Sequence, residues 1–265
     1  MNTEALVVPR DEWIPITTGE SGDRVLRRAD GAVFAKIAEP DRVADLAAER
    51  DRLEWLAGRG IAAPEPRDWR EGEDGACLVM TAIPGVPASE LAGEDLLAAW
   101  PSIARCLAAL HALDAATCPF DRGLERMFAR AQDVVGRGAV DPDFLPDEDR
   151  GTPAPELLAR VERELALRLS LEADEEVVCH GDPCLPNLLV DPETLRCNGM
   201  IDLGRLGRAD RYADLALLRA NAAENWSSAA QAEEADAILF ATLGITDPDP
   251  AAAAFYLRLD PLTWG

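Results

Sequence analysis

The 265-residue sequence has only one lysine and two histidines, and it has no long apolar run. No stretch approaches the roughly 20 apolar residues that a membrane-spanning helix needs. The first residues lack the basic, apolar and small-residue parts of a signal peptide. No GxxxxGK[ST] motif occurs, which excludes a P-loop nucleotide site. We therefore expect a cytoplasmic protein with no membrane partner.

Positive charge is also scarce, since 49 acids stand against 26 bases and the net charge is −23. This balance argues against a nucleic-acid partner, because phosphate backbones require clustered lysine and arginine. A cationic small molecule fits better, although acidity that only maintains solubility is an equal alternative. No obligate protein partner is evident. The six cysteines are scattered without a CxxC pair, so we expect free thiols.

The shortage of lysine singles out one position. Of the 26 basic residues 25 are arginine, and the exception is Lys36. A compact ammonium is required where a planar guanidinium does not fit. Lys36 is therefore a candidate functional residue.

The first eighty residues indicate strands and turns around one helix. Asp30-Gly31 is a dipeptide favoured in tight hairpins, and it predicts that "DRVLRRADGAVFAKI" forms two paired strands. Alternation in the second strand places Lys36 on the face opposite Ala35 and Ile37. "ACLVMTAI" predicts a further strand. The segment "PGVPASEL" then breaks it, and we take this joint as the domain boundary.

Two helices in the chain each carry one notable polar residue. In "RVADLAAERDRLEWLAGRG" the apolar spacing predicts a helix, and Glu49 lies on the same stripe as Leu46 and Leu53. A carboxylate on a buried face needs a partner. His111 lies on a Leu/Ala-rich helix beyond the joint, where a packed or capping role is favoured. The rest of the chain is mainly helical, so the fold class is α+β.

A polar break in the stretch Val177–Asp191, "VVCHGDPCLPNLLVD", presents candidate catalytic groups. If "LLV" pairs antiparallel with "GMID", Asn187 and Asp202 converge at one end of the hairpin. Carboxylate and amide oxygens are hard ligands of the kind that magnesium prefers. Asp182 lies on the same loop as a candidate base. The sequence therefore predicts a base and a metal site side by side.

The order of these residues resembles that of protein kinases, which place a lysine on a strand, a glutamate on the next helix, then catalytic and metal loops. Two departures are typical of the aminoglycoside phosphotransferases, antibiotic kinases of the same fold. Gly181 replaces the arginine of His-Arg-Asp, and "IDLGRLGRADRYADLAL" leaves no room for a long activation loop. The resemblance covers nearly the whole chain. It implies a two-lobed fold with a nucleotide-binding lobe at residues 1–83 and a catalytic, substrate-binding lobe at 84–265.

The family resemblance implies a role for each matching residue. Asp182 corresponds to the catalytic base or orienter of the attacking hydroxyl, and Asn187 and Asp202 to the Mg²⁺ ligands. At ATP, the resemblance implies that Lys36 binds the α- and β-phosphates and that Glu49 positions Lys36. Ser21 and Gly22 correspond to a loop that covers the phosphates. The backbone groups of Thr81 and Ile83 correspond to those that hold adenine. Asp214 resembles the aspartate that braces the catalytic loop.

The resemblance also implies a substrate. "AIPGVPA", "PDFLPDED" and "RLDPLTWG" are similar to members that phosphorylate streptomycin on its 3''-hydroxyl, which implies antibiotic resistance. Paired carboxylates hold guanidinium groups best, and the candidates are Asp260, Glu224 and the acids Asp147 to Asp149. Pro261 stands where some 3'-phosphorylating relatives carry an acid, which disfavours a broad kanamycin-type range.

Other functions remain open. A kinase of another small cationic alcohol or metabolite is the alternative enzyme. A catalytically dead nucleotide-binding module is disfavoured because no expected catalytic position is missing. A carboxylate-pair hydrolase would explain the acids but neither Lys36 nor Asn187.

The single lysine supplies a first prediction. Lys36→Arg keeps the charge, but the guanidinium fork cannot replace a compact ammonium, so nucleotide use should fall by at least about tenfold. Steady-state kinetics with varied ATP measure the effect. Wild-type kinetics from this variant would remove Lys36 from the nucleotide site.

Overall fold

The computed structural model describes residues 13–16 and 24–265. Its N-terminal part is a five-stranded antiparallel sheet in the order β1-β2-β3-β5-β4. The strands are β1 (Trp13–Ile16), β2 (Arg24–Arg28), β3 (Val33–Ala38), β4 (Pro66–Gly72) and β5 (Gly75–Thr81). The strand β3, which carries Lys36, therefore lies in the middle of the sheet.

The predicted hairpin between β2 and β3 is confirmed. Gly31 turns the chain at φ +73°, and its amide donates to the carbonyl oxygen of Arg28 at 2.8 Å. The carboxylate of Asp30 accepts from the amide of Ala32 at 2.9 Å. A short polar side chain followed by a glycine thus closes the turn, as the dipeptide indicated.

The helix α1 (Val43–Leu56) packs on this sheet and matches the prediction. Its buried residues are Leu46, Glu49, Leu53 and Leu56. Their spacing of three and four residues forms one stripe that faces the core. The stripe contacts both β5 and the 3-10 turn Leu203–Arg205. Glu49 is therefore carried into the interior by its apolar neighbours.

Two small antiparallel sheets hold the polar segments of the C-terminal part. One contains β6 (Val86–Pro87), β8 (Leu188–Asp191) and β9 (Arg196–Met200), in the order β6-β8-β9. The other pairs β7 (Glu176–Cys179) with β10 (Gly207–Asp210). The Pro/Gly-rich joint at "PGVPASEL" thus contributes a strand, because Val86 pairs with Val190.

Six helices form the remainder of the C-terminal part. They are α2 (Gly93–His111), α3 (Leu124–Gly136), α4 (Ala154–Glu175), α5 (Tyr212–Ala222), α6 (Ala229–Thr242) and α7 (Pro250–Leu259). The helix α2 packs against α6, where the indole of Trp100 donates to the carbonyl oxygen of Ala235 at 2.8 Å. A β-rich N-terminal part and a helical C-terminal part agree with the predicted α+β class. Within the described residues, no helix is both long and apolar enough to cross a bilayer.

All six cysteines lie in the described residues and are free thiols, as expected.

Hydrogen bonds link the N-terminal sheet region to the hairpin β8–β9. The amide of Met200 donates to the carbonyl oxygen of Ala62 at 2.9 Å. The side-chain amide of Asn198 donates to the carbonyl oxygen of Pro84 at 3.0 Å. Main-chain and side-chain hydrogen bonds thus hold β9 beside the chain that follows α1 and β5.

Candidate active site

The single lysine pairs with the buried glutamate of α1. The ammonium of Lys36 lies 2.8 Å and 3.0 Å from the two carboxylate oxygens of Glu49. The two residues are only 8% and 6% exposed. Burial lowers the pKa of Lys36, but the charges of Glu49 and Asp202 outweigh it and raise that pKa above its ordinary value. Lys36 is therefore a fixed cation in the interior of the site.

Asp202 also contacts this lysine. Its Oδ1 accepts a hydrogen bond from the ammonium of Lys36. Asp202 has φ +59° and ψ +50°, a left-handed conformation that aspartate adopts more readily than most non-glycine residues. The chain turns at this residue from β9 into the 3-10 turn Leu203–Arg205. The turn brings a carboxylate from the C-terminal part to the lysine of the N-terminal sheet.

The hairpin β8–β9 forms antiparallel as predicted, but its register differs by two residues from the predicted pairing of Leu188 with Asp202. Asp202 lies outside the ladder because its left-handed conformation turns the chain away from β9. Leu188 pairs with Met200, and the amide of Ile201 donates to the carbonyl oxygen of Asn187 at 2.9 Å. The strand β9 ends at Met200, two residues before the predicted end. Asn187 and Asp202 nevertheless flank the same end of the ladder, which is the convergence that the sequence indicated.

Asn187 fixes the orientation of Asp182. Its Nδ2 atom donates to the backbone oxygen of Asp182 at 2.9 Å and to the carboxylate Oδ2 at 3.1 Å. Both bonds use the amide nitrogen, so the amide oxygen Oδ1 remains the atom that can ligate a metal. Asp182 is half-buried and Asn187 is buried. The asparagine therefore holds the Oδ2 oxygen of Asp182 in a fixed orientation.

The buried His180 serves as a neutral support for this loop. Its Nδ1 accepts from the amide of Asp182 at 3.2 Å, so the ring proton lies on Nε2, which contacts the carbonyl oxygen of Ile201 at 3.0 Å. Burial lowers the pKa of His180 below its ordinary value, despite the nearby carboxylates. The imidazole thus ties the catalytic loop to the residue before Asp202.

Asp214 braces the same loop from α5. Its carboxylate, which is 0% exposed, accepts from the amides of His180 at 2.7 Å and Gly181 at 2.9 Å. It also contacts Nε2 of His111 at 3.0 Å. Burial raises the pKa of Asp214, but the bonds from His111 and the loop amides lower it below its ordinary value. His111 is therefore a packed histidine, as expected, and Asp214 has the bracing position that the resemblance implied.

The glycine between His180 and Asp182 is required by a close backbone approach. Gly181 has φ +90°, and a Cβ atom there would lie 2.3 Å from the carbonyl oxygen of Arg205. A side chain would therefore push the catalytic loop away from the chain that follows Asp202. The tight packing of these two segments explains why this position has no arginine.

The predicted nucleotide contacts are only partly described. Ser21 and Gly22 lie outside the described residues. The amide of Thr81 donates to the carbonyl oxygen of Glu65 at 2.9 Å, and the Thr81 hydroxyl accepts from the amide of Glu65 at 2.8 Å. Thr81 can therefore offer its carbonyl oxygen, but not its amide, to adenine. Ile83 is half-buried at the end of this segment.

The predicted substrate acids do not form one cluster of free carboxylates. Asp260 is 7% exposed, lies 3.5 Å from Arg122 and 3.4 Å from Arg205, and accepts from the indole of Trp264 at 2.9 Å. Glu224 lies exposed in the 3-10 turn Ala223–Asn225. Asp260 is thus engaged by cations of its own chain, and its role towards a substrate stays a prediction.

The acidic loop that holds the candidates Asp147 to Asp149 is divided between paired and exposed carboxylates. Asp147 pairs with Arg150 at 3.1 Å, and its side chain is 87% exposed. Asp149 pairs with Arg160 of α4 at 2.8 Å, and its side chain is 13% exposed. Only the outer part of this loop therefore offers carboxylates to solvent.

Two residues that sequence reasoning missed also support the catalytic loop. The buried Arg122 donates from Nη2 to the carbonyl oxygen of Gly181 at 2.9 Å. Asn221 accepts through Oδ1 from the amide of Leu185 at 2.7 Å. Asn221 lies two helical turns after Asp214 on α5, a spacing that could have identified it. Arg122 is 59 residues from its partner in sequence, and no local pattern marks it.

The comparisons with known proteins agree with this geometry. A profile of the phosphotransferase enzyme family matches residues 12–256. The chain is 52% identical to a streptomycin 3''-kinase of Streptomyces griseus, covering 96% of this chain and 93% of that protein. It is 38% identical to an aminoglycoside 3'-phosphotransferase of Streptomyces fradiae, covering 95% of each.

A solved structure extends the likeness to three dimensions. The aminoglycoside phosphotransferase APH(3'')-Id from Streptomyces rimosus, in complex with ADP and streptomycin, matches with a TM-score of 0.89 and 49% identity. The match covers 96% of this chain and 93% of that one. The predicted two-lobed, protein-kinase-like fold is thereby confirmed.

The close approach at Gly181 supplies a second prediction. Gly181→Ala should destabilise the protein by about 2–4 kcal/mol, because it combines a left-handed alanine with an overlap against backbone. It should also lower kcat, because Asp182 follows directly. Urea unfolding and steady-state kinetics measure the two effects.

Gly58→Ala is the matched control, since Gly58 has φ +77° and no atom within 4 Å of the added methyl group. That variant should lose only about 1 kcal/mol and keep its activity. Equal losses of stability in the two variants would mean that contact with Arg205 does not constrain the loop.

Proposed function

The chain belongs to the phosphotransferase enzyme family, among the aminoglycoside phosphotransferases, and from this premise we propose that it transfers the γ-phosphoryl group of ATP to the 3''-hydroxyl of streptomycin. The observation that carries the proposal is the 52% identity to a streptomycin 3''-kinase over 96% of the chain. The related structure in complex with ADP and streptomycin supports both substrates. Modification of the antibiotic at this hydroxyl would confer resistance.

In this proposal the N-terminal residues 1–83 hold the nucleotide. Lys36 offsets the charge of the α- and β-phosphates, and Glu49 holds its ammonium in place at 2.8 Å. The Thr81 carbonyl oxygen and the Ile83 backbone face adenine, and Ser21 and Gly22 belong to the loop over the phosphates. ATP use fits the cytoplasmic location expected from the sequence.

Residues 84–265 then hold the acceptor and perform the transfer. Asp182, oriented by Asn187, accepts a hydrogen bond from the attacking hydroxyl. The hydroxyl oxygen forms a bond to the γ-phosphorus, while the bond from that phosphorus to the bridging oxygen breaks and ADP departs. The hydroxyl proton passes to Asp182 or to the transferred phosphoryl group. Alignment and electrostatics contribute most of such a barrier reduction.

The residues present fit the Mg²⁺ ions that the fold family implies. The Asn187 amide oxygen and the Asp202 carboxylate are hard oxygen donors at one end of the hairpin β8–β9. Bound there, Mg²⁺ would offset the negative charge that the phosphates bring into the site. Asp202 already faces a cation, the ammonium of Lys36, so this carboxylate is placed to attract positive charge.

Binding of streptomycin, which carries two guanidinium groups, rests on acids of the C-terminal part. Asp260 and Glu224 are the proposed contacts. Asp260 would have to exchange part of its pairing with Arg122 and Arg205 for the antibiotic. Glu224 is exposed and can pair without such an exchange.

The substrate is tested directly with antibiotics. The protein is incubated with Mg²⁺ and ATP, together with either streptomycin or kanamycin, and mass spectrometry detects one added phosphate. We expect modification of streptomycin on its 3''-hydroxyl, and loss of turnover without comparable loss of ATP affinity in Asp182→Ala. Modification of kanamycin alone would overturn the substrate. Modification of neither would favour a kinase of another small cationic alcohol.

The metal role of Asp202 is tested by Asp202→Asn, which should lower turnover by at least about a hundredfold, because a neutral amide cannot supply the lost charge. Turnover is measured over a range of Mg²⁺ concentrations at saturating ATP. Asp191→Asn, at the other end of the same hairpin, is the matched control and should keep its activity. Near-normal turnover in Asp202→Asn would reassign the ligand.

A further inference from the structure

A basic pocket of about 240 Å³ lies beside Gly204 and Arg205, in the chain that follows the hairpin β8–β9. We define the arginine pocket by five of its nine lining residues, which are Arg52, Arg122, Arg126, Arg130 and Arg205. Among the described lining residues Asp121 is the one acid. The pocket is therefore a local concentration of positive charge in a chain whose net charge is −23.

The arginines come from separate elements and converge on one space. Arg52 belongs to α1, Arg126 and Arg130 belong to α3, and Arg205 closes the 3-10 turn after Asp202. Arg122 lies just before α3. The convergence therefore depends on tertiary packing and does not follow from one basic stretch of sequence.

Nearby carboxylates do not offset these charges fully. Asp260 is shared by Arg122 at 3.5 Å and Arg205 at 3.4 Å. Asp121 accepts from Arg126 at 2.9 Å, and Asp133 lies 3.5 Å from Arg130.

The remaining arginine, Arg52, donates to the backbone oxygens of Leu206 at 2.7 Å and Ala48 at 2.8 Å. Among the described ion pairs, the five guanidinium groups thus share only three carboxylates, and Asp133 also pairs with Arg137 at 3.0 Å.

Two of these guanidinium groups lie in surroundings that disfavour their charge. The Nη1 atom of Arg205 and the Oδ1 atom of Asp260 lie 3.4 Å apart. Both atoms are buried, and neither makes a hydrogen bond within the described chain. Burial, and then the charge of Arg122, lowers the pKa of Arg205 to about 10. Burial also lowers the pKa of Arg52. An added anion would offset this excess of positive charge.

We infer that the arginine pocket binds a phosphate-type oxyanion. Guanidinium groups bind tetrahedral oxyanions through paired N–H groups, and several can share one dianion. These arginines would repel a cationic group, so the guanidinium groups of streptomycin are not expected inside the pocket, although Asp260 beside it is a proposed contact. Binding of the anion does not depend on the proposed function, whereas the effect of the anion on the nucleotide site rests on it.

Occupancy of the pocket would connect α1 to α3. Arg52 lies three residues after Glu49 on α1. Gly204, which also lines the pocket, lies close to Glu49, because a Cβ atom built on this glycine would be 3.6 Å from the Cβ atom of Glu49. An anion held by Arg52, Arg126 and Arg205 would therefore fasten the helix that positions Glu49 against Lys36. The pocket is a means to stabilise the assembled nucleotide site.

Inorganic phosphate is the probe for the test. Binding is measured by calorimetry at constant ionic strength with chloride as the reference anion, and a non-hydrolysable ATP analogue with Mg²⁺ fills the nucleotide site. The wild type should bind one phosphate per chain in addition to the analogue. Arg126→Glu and Arg52→Gln should each weaken this binding by at least about fivefold.

The matched control is Arg163→Glu, an exposed position on α4 with the same change of charge. The side chain of Arg126 is 71% exposed, so its variant should fold normally, which circular dichroism checks. Unchanged affinity in Arg163→Glu would support the pocket as the site. The inference would be overturned by no phosphate-specific binding, by wild-type affinity in either pocket variant, or by equal weakening in the control.

Discussion

The buried ion cluster of Lys36, Glu49 and Asp202 is the interaction on which the site depends. Its three members come from the central strand β3, the helix α1 and the turn after β9. Lys36 and Glu49 are buried, whereas the side chain of Asp202 is 36% exposed. Removing one partner of a buried pair such as Lys36 and Glu49 costs about 3–5 kcal/mol. The cluster therefore couples the candidate site to the correct packing of all three elements.

A second set of bonds gives the catalytic loop its shape. Asp214 accepts from two successive loop amides, while Asn187 holds the Asp182 carboxylate. His111 occupies the remaining side of Asp214, which satisfies a carboxylate that has no contact with water. A carboxylate that is fixed by bonds to its neighbours needs little reorganisation to accept a hydrogen bond from a ligand.

Charge is distributed unevenly, and the local pattern matters more than the total. The chain is strongly acidic, which suits a cationic substrate, yet five arginines converge beside the catalytic loop. Asp260 corresponds in position to an acid of the family near the C-terminal end. It forms ion pairs with two of those arginines, Arg122 and Arg205. Net charge therefore indicates the class of partner, whereas pairing decides which carboxylates remain available to bind it.

The sequence by itself determined the features that depend on local chemistry. Asp30-Gly31 closes the β2–β3 turn, the stripe of α1 buries Glu49, and β8 pairs antiparallel with β9. Periodicity and turn residues act over a few positions, so they can be recognised without a structure. Hairpin pairing indicated that Asn187 and Asp202 converge, and the family resemblance added Lys36 to the same site.

Only the tertiary structure decided which distant groups meet. Val86 pairs with Val190, Arg122 reaches Gly181 across 59 residues, and the arginine pocket draws on three separate regions. No local pattern encodes these contacts, because they arise when elements pack and bury charge together. The pairing of Asp260 with two arginines has the same origin. A carboxylate that appears free in the sequence lies beside two arginines once the core closes around it.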